Sequence, residues 1–250
     1  MIGVLRFALL GVLSLFPCLV AAADLKFCYD PYPPYTLGTS GEPSGGLKLR
    51  VLNEVINRID GVTASVVLLP WFRCQEAVKS GEIDGILPLF QNEERNEYMA
   101  FTDDVFLEQS VFWYDRARFP EGLSLGRDFQ DMSHLRLGML QGGYINKTME
   151  AAFSANRTIQ RAHSVEALML MLQHDRVDLI ATDAVVGAYT VELLGLSEKV
   201  AKVADPIAVQ PSKFGLSRVT GADKHLAAFN QVLEEMRQSG LLEEIQAGSP

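Results

Sequence analysis

Two hydrophobic periods alternate along the chain. Leu25-Lys26-Phe27-Cys28-Tyr29 reads as a strand, which Asp30-Pro31-Tyr32-Pro33-Pro34-Tyr35 ends because prolines lack the N–H a ladder needs. After a Gly/Ser/Pro loop from Gly38 to Gly46, Leu49, Leu52, Val55, Ile56 and Ile59 recur at helical spacing and predict a helix over 47–59. Val62 to Leu69, rich in β-branched residues, predicts the next strand. The stretch from Pro70 to Asp104 predicts a helix carrying Trp71, Phe72, Cys74 and Val78, ended at Gly81. A short apolar strand, Ile83 to Leu89, follows, with Pro88 expected to stop it. Gln91 to Glu97 is then polar sequence at the carboxyl end of a strand, where open α/β sheets place their ligands, and it reads as half of a ligand pocket.

The order recurs. Leu135 to Leu140 resembles Leu25 to Tyr29 and ends in the turn Gln141-Gly142-Gly143-Tyr144 before a helix through Phe153. Thr158 to Ala162 predicts a short strand, Val165, Leu168, Met169 and Leu172 a helix, and Val177-Asp178-Leu179-Ile180 echoes Ile83-Asp84-Gly85-Ile86. Parallel strands need such crossover helices, so the pattern predicts an α/β chain of two similar lobes, each a mostly parallel sheet flanked by helices. Leu107 to Phe112 and Gln210 to Phe214 read as extended crossings between them, and two crossings make a hinge. The final helix, with Leu226, Phe229, Leu233 and Met236 on one face, is expected to return to the first lobe. The expected division is 24–110 plus 212–250 for lobe one and 111–211 for lobe two.

Composition narrows the class. Forty-eight per cent apolar against 21% charged residues is a globular balance, which excludes disordered and membrane-embedded chains. Residues 1–23 predict a cleaved signal peptide: one arginine, an apolar run too short to span a bilayer comfortably, then Ala21-Ala22-Ala23. Lipidation at Cys18 is the alternative, disfavoured by Phe16 and Pro17 before it. Cleavage would take the formal charge from −9 to −10, which argues against nucleic acid or anionic lipid as a partner. Cys28 and Cys74 then remain in an oxidising compartment, either as separate buried thiols or as a disulfide closing a loop of about 46 residues.

With these motifs in hand, the chain resembles the periplasmic solute-binding proteins of family three, the receptors of ABC importers for polar amino acids. The most specific residues are Gly81 to Ile86 (GEIDGI), Glu94-Arg95 and Ala100 to Asp103 (AFTD). Leu135 to Gly142 and Asp178 to Asp183 add to them. The resemblance implies the two-lobed periplasmic-binding-protein-like fold (type II) with a two-strand hinge and a small-molecule ligand held between the lobes. It also implies a permease in the inner membrane as partner and no cofactor; the expected state is a periplasmic monomer. It puts the carboxylate-clamping arginine at Arg95, whose planar fork matches a carboxylate. Otherwise Arg95 is a surface residue paired with Glu93, Glu94 or Glu97. The acid receiving an α-ammonium falls on Asp183, which could instead cap the helix from Ala184. Asp30 matches a position that contacts basic side chains in relatives, or is a turn-forming Asp-Pro. Tyr32 or Tyr35 could stack on the ligand.

This chain also departs from the family. Pro88-Leu89-Phe90-Gln91 replaces small hydroxyl residues, Trp71 and Phe90 make the pocket more aromatic, and Gly143 and Tyr144 stand where Thr or Ser is usual. A small zwitterion or carboxylate remains the expected ligand, with a standard α-amino acid less secure. No HExxH, GxSxG or phosphate-loop motif is present, and His134, His163, His174 and His225 lack ligand spacing; no metal site is expected. An enzyme on the same scaffold, such as a dehydratase of a cyclic carboxylate using Asp30, Glu94 or Asp183, is the alternative of another class. A sensor feeding a membrane signalling protein is binding of the same kind with a different partner.

Overall fold

The computed structural model describes residues 23–248 apart from 40, 125, 127 and 144, so most of the expected signal peptide and Tyr144 lie outside the described residues. The elements run β1 (Ala23–Tyr29), β2 (Leu37–Thr39), β3 (Glu42–Gly45), α1 (Leu47–Ile56), β4 (Val62–Leu68), α2 (Trp71–Ser80), β5 (Gly85–Phe90), α3 (Glu93–Asn96), β6 (Met99–Phe101) and β7 (Phe106–Asp115). They continue with β8 (Leu137–Leu140), α4 (Lys147–Ala155), β9 (Ile159–Ala162), α5 (Val165–Gln173), β10 (Leu179–Asp183), α6 (Ala184–Leu193), β11 (Val200–Lys202), β12 (Ala208–Ser217), α7 (Leu226–Gln238) and α8 (Leu241–Ala247).

In the front half β1 lies between β4 and β5, parallel to both. In the rear half β8 lies between β10 and β9, again parallel to both. The aspartates of the sequence echo occupy equivalent places. Asp84 N–H donates to Lys26 O at 2.8 Å while its Oδ2 accepts the Lys26 N–H at 2.9 Å. Asp178 makes the same two bonds with Arg136, each 2.8 Å. The repeat is therefore structural, with one aspartate in each half bonded to the backbone of its first parallel strand, at Lys26 within β1 and at Arg136 just before β8.

Between the halves run two long strands. β7 and β12 pair antiparallel from Phe106↔Ser212 to Ser110↔Ala208. Beyond that ladder they diverge: β7 continues along β10, and β12 along β5. The crossing strands thus link the front and rear ladders into one continuous run of pairing that takes in ten strands. After the second crossing, α7 packs on the front half, where Phe229 lies 6.2 Å from Phe27 and 5.7 Å from Phe214 between ring centroids. That contact carries out the expected return of the C-terminal helix.

Apolar burial follows the same division. Cys28, Cys74, Val78, Ile83, Ile86 and Met99 cluster on one face of the front sheet. Phe112, Leu137, Met139, Met149, Phe153 and Leu179 cluster in the rear half. A third cluster runs through the crossing region, from Phe27, Val51 and Phe214 to Val111, Trp113 and Leu168. α2 ends as its sequence requires, with Gly81 in the left-handed conformation at φ 81°.

Pro88 does not stop β5, which runs on to Phe90. The register between β5 and β12 shifts at Lys213–Gly215, so Leu87 and Pro88 face an irregularity in the ladder. A proline is tolerated there because no ladder N–H is required of it. The helix from Leu47 ends at Ile56, three residues before the expected Ile59.

Cys28 and Cys74 form a disulfide, with Cα atoms 5.7 Å apart and a sequence separation of 46. Closing a loop of that length restricts the unfolded chain and stabilises the front half by roughly 2–4 kcal/mol. Unfolding the unreduced protein should expose no free thiol at either position. Replacing both cysteines with serine should lower the unfolding free energy by that amount, measured by chemical denaturation.

Candidate functional site

Residues at or just beyond the carboxyl ends of β1, β5, β8 and β10 line one cavity of about 470 Å³. This is within the range of small-molecule sites. The front half contributes Asp30, Tyr32, Lys48, Trp71, Pro88, Phe90 and Arg95; β7 contributes Glu108 and Ser110; the rear half contributes Gln141, Gly143, Ser164, Thr182 and Asp183. Two direct contacts close the gap. Tyr32 Oη and Thr182 Oγ1 are 3.1 Å apart, and Trp71 Nε1 donates to Gly142 O at 3.2 Å. Gly142 has φ +73°, and a Cβ there would come within 2.7 Å of the Phe72 ring and 3.0 Å of Trp71. A glycine is needed because the aromatic pair presses directly on this turn.

Arg95 is not a surface residue. Asn92 caps α3 by accepting the Arg95 N–H at 2.9 Å, which turns the side chain inward, and only 6% of the residue is exposed. Nε donates to Gln75 Oε1 at 3.3 Å and Nη1 to Phe90 O, while Cζ lies 5.1 Å over the Trp71 ring. Nη2 makes no hydrogen bond among the described residues, in a side chain that lines the cavity. Burial lowers the guanidinium pKa, opposed by Tyr98 and Glu94. Arginine nevertheless keeps its charge. Glu93, Glu94 and Glu97 are exposed while the Arg95 side chain bonds Gln75 and Phe90, and none of the three acids forms an ion pair with it among the described residues.

Asp183 ends β10 and begins α6, and its two carboxylate oxygens have different roles. Oδ1 accepts the N–H groups of Val185 and Val186 at 2.8 and 3.1 Å, so the residue does cap the helix. Oδ2 is buried with no partner among the described residues, in a side chain that lines the cavity. Burial, and then the nearby Glu108 carboxylate, push the pKa up to about 6, against the pull of the two helix N–H groups and Lys48.

The other expected residues divide. Asp30, Trp71 and Phe90 line the cavity; Asp30 has its pKa raised by burial and partly restored by the Trp71 backbone N–H. Tyr35 does not line it. Its ring is 1% exposed and stacks on Phe106, with centroids 6.1 Å apart, because the turn after Pro34 folds it into the core. Its hydroxyl makes no hydrogen bond of full geometry among the described residues but lies beside the Asp183 carboxylate, and its pKa is raised by burial and then by Asp183, Glu108 and Tyr32. Tyr32 takes the cavity position instead. Glu94 is outside the cavity. Lys48 and Glu108 were missed by sequence reasoning: Lys48 Nζ lies 2.8 Å from Glu108 Oε1, an ion pair by distance without the alignment of a hydrogen bond. Their side chains are 7% and 3% exposed. No local signal links a lysine at the start of one helix to a glutamate sixty residues later.

The chain belongs to the bacterial extracellular solute-binding proteins, family 3, whose model matches residues 25–248. No curated protein matches it in sequence. Among solved structures, a histidine kinase sensor domain with similarity to periplasmic binding proteins superposes with TM-score 0.76 at 19% identity, covering 91% of this chain and 96% of that one. An ancestral arginine-binding protein bound to arginine gives 0.73 at 18% identity, covering 89% and 96%. An ABC uptake transporter substrate-binding protein from Streptococcus pneumoniae with bound histidine gives 0.73 at 18%, covering 89% and 90%. These likenesses establish the two-lobed periplasmic-binding-protein-like fold, and the family establishes a solute-binding role. No helix among the described residues is long and apolar enough to cross a membrane.

A carboxyl whose pKa is higher folded than unfolded stabilises the fold fully below its unfolded pKa, and that contribution is lost as pH rises through the folded value. For Asp183 the window runs from about 4 to about 6. Without solute, lowering the pH from 7 to 4.5 should therefore stabilise the protein relative to Asp183→Asn. The gap should grow by roughly 1.4 kcal/mol per unit of raised pKa, read from denaturation midpoints across pH.

Proposed function

We propose that the protein is an exported receptor that closes around a small zwitterion, an amino acid or related carboxylate, with Arg95 and Asp183 as the opposed charged contacts. The observation that carries this reading is the pair of unsatisfied groups in one cavity, Arg95 Nη2 from the front half and the buried Asp183 Oδ2 from the rear. A buried carboxylate oxygen without a donor is costly, and a ligand ammonium relieves that cost. Guanidinium receives the carboxylate, Trp71 holds the guanidinium from behind, and Asp30, Tyr32 and Phe90 shape the remainder. We place the lobe boundaries in the crossing strands, at 110/111 and 211/212. The solute bridges the lobes, so binding energy goes into the closed arrangement.

The partner we propose is an ABC importer permease, with the receptor in the periplasm after signal-peptide cleavage. A second reading has a specific support: the sensor domain of a histidine kinase superposes with a TM-score of 0.76, above the 0.73 of the transporter component. In that reading the same closure is reported to a membrane signalling protein.

Titrating the purified protein with amino acids and small carboxylates should give one saturable response in tryptophan fluorescence, through Trp71, and in melting temperature. Arg95→Ala should weaken it about 30-fold or more, since truncating one partner of a buried charge pair costs roughly 2–5 kcal/mol. An Arg95→Ala protein that folds and binds as tightly as the parent would sink the assignment.

A further inference from the structure

Lys48 is the second residue of α1, on the face that buries Leu47, Val51, Leu52 and Val55, and it is 5% exposed. A lysine so withdrawn from water needs partners. Its Nζ donates to Pro88 O at 2.8 Å, lies 2.8 Å from Glu108 Oε1 and sits 4.6 Å over the Tyr35 ring. Lys48, Pro88 and Glu108 come from α1, β5 and the crossing strand β7, and all three line the cavity. The cavity wall therefore holds two deeply buried carboxylates, Glu108 and Asp183, at 3% and 4% exposure. Each needs a positive or donating partner. Lys48 serves Glu108, while the Oδ2 of Asp183 makes no full hydrogen bond among the described residues.

We propose that Lys48 is a specificity-determining residue: its ammonium occupies, at the hinge end of the cavity, the place a ligand's second cationic group would take. The receptor then holds a zwitterion whose portion at that end carries no positive charge. This rests on the solute-receptor reading above. A ligand with a basic side chain reaching toward Glu108 meets an ammonium already there, and its own charge would be buried beside a like charge. The carboxylate of the ligand goes to Arg95, because two oxygens and the Tyr35 ring already surround the Lys48 ammonium.

The test compares the parent, Lys48→Ala and Lys48→Ala/Glu108→Gln by calorimetry against alanine, glutamine, glutamate, lysine and ornithine. A parallel thermal-shift series uses n-propylammonium, the fragment that Lys48→Ala removes. The parent should prefer an uncharged side chain to lysine and ornithine. Lys48→Ala should move that ratio toward lysine and ornithine by about tenfold or more, since specificity is a difference of affinities and the repulsive element is gone. Propylammonium should raise the melting temperature of Lys48→Ala and not that of the parent, and the double variant should lose both gains because the acid is absent. If Lys48→Ala does not fold alone, refolding with and without propylammonium gives the same reading: restored yield supports the proposal and unrestored yield overturns it.

An unchanged ratio with no response to propylammonium would make the pair purely structural and overturn the proposal. So would a parent that prefers lysine or ornithine, or one whose preference for glutamate vanishes in Lys48→Ala. A parent that binds no member of the panel would count against the amino-acid reading itself, while the propylammonium series would still decide whether the place vacated by Lys48 takes a cation.

Discussion

The antiparallel ladder between β7 and β12 is the constraint from which the rest of the molecule follows. Two strands leave the front sheet and the rear sheet side by side, paired from Phe106↔Ser212 to Ser110↔Ala208, and only then separate. A paired two-strand crossing brings residues from the carboxyl ends of both halves' parallel strands to one cavity and makes bending about the pair the natural motion. Those ends deliver much of the cavity lining: Asp30 after β1, Phe90 at the end of β5 and Arg95 beyond it, Gln141 after β8, Asp183 at the end of β10. Glu108 and Ser110 come from the crossing strand itself, so the floor of the cavity and the hinge are the same piece of chain.

Closing such a gap withdraws charges from water, and the structure deals with them in three ways. Lys48 and Glu108 are matched within the protein. Arg95 is partly matched, by two acceptors and an aromatic face. Asp183 is half matched: one oxygen fixes the start of α6 and the other makes no full hydrogen bond among the described residues, with the Tyr35 hydroxyl beside the carboxylate. An unmatched buried carboxylate works against a closed, empty cavity. Trp71 and Phe72 pressing on Gly142, and Tyr32 meeting Thr182, supply short-range contacts in the other direction. The balance between these terms is what a solute with a donor for Asp183 would tip.

Much of this was legible in the sequence. Period-two and period-3.6 patterns reveal the two α/β halves, the crossings near 107 and 210, and the return of the last helix, because each depends on local apolar spacing. Arg95 and Asp183 were legible as candidates because each sits in a motif at a strand end. What was not legible depends on contacts far apart in sequence. Nothing local says that Lys48 turns inward to Glu108 and Pro88 O; a lysine at a helix start ordinarily reads as solvated. Tyr32 and Tyr35 are indistinguishable in a Tyr-Pro-Pro-Tyr turn, and only packing on Phe106 sends one to the core and the other to the cavity. Pro88 reads as a stop because a ladder N–H is missing, yet the shift in β12 opposite removes the need for it. Asp183 was weighed as cap or ligand contact, and its carboxylate has one oxygen placed for the first task and one unengaged.

The central claim is that one solute spans the gap between the halves, and crystallography of the protein grown with an equimolar mixture of amino acids tests it most directly. The account predicts density for a single small molecule with a carboxylate within hydrogen-bonding distance of Arg95 Nη2 and a donor on Asp183 Oδ2. A molecule bound elsewhere, or one in the cavity that touches neither atom, would contradict it.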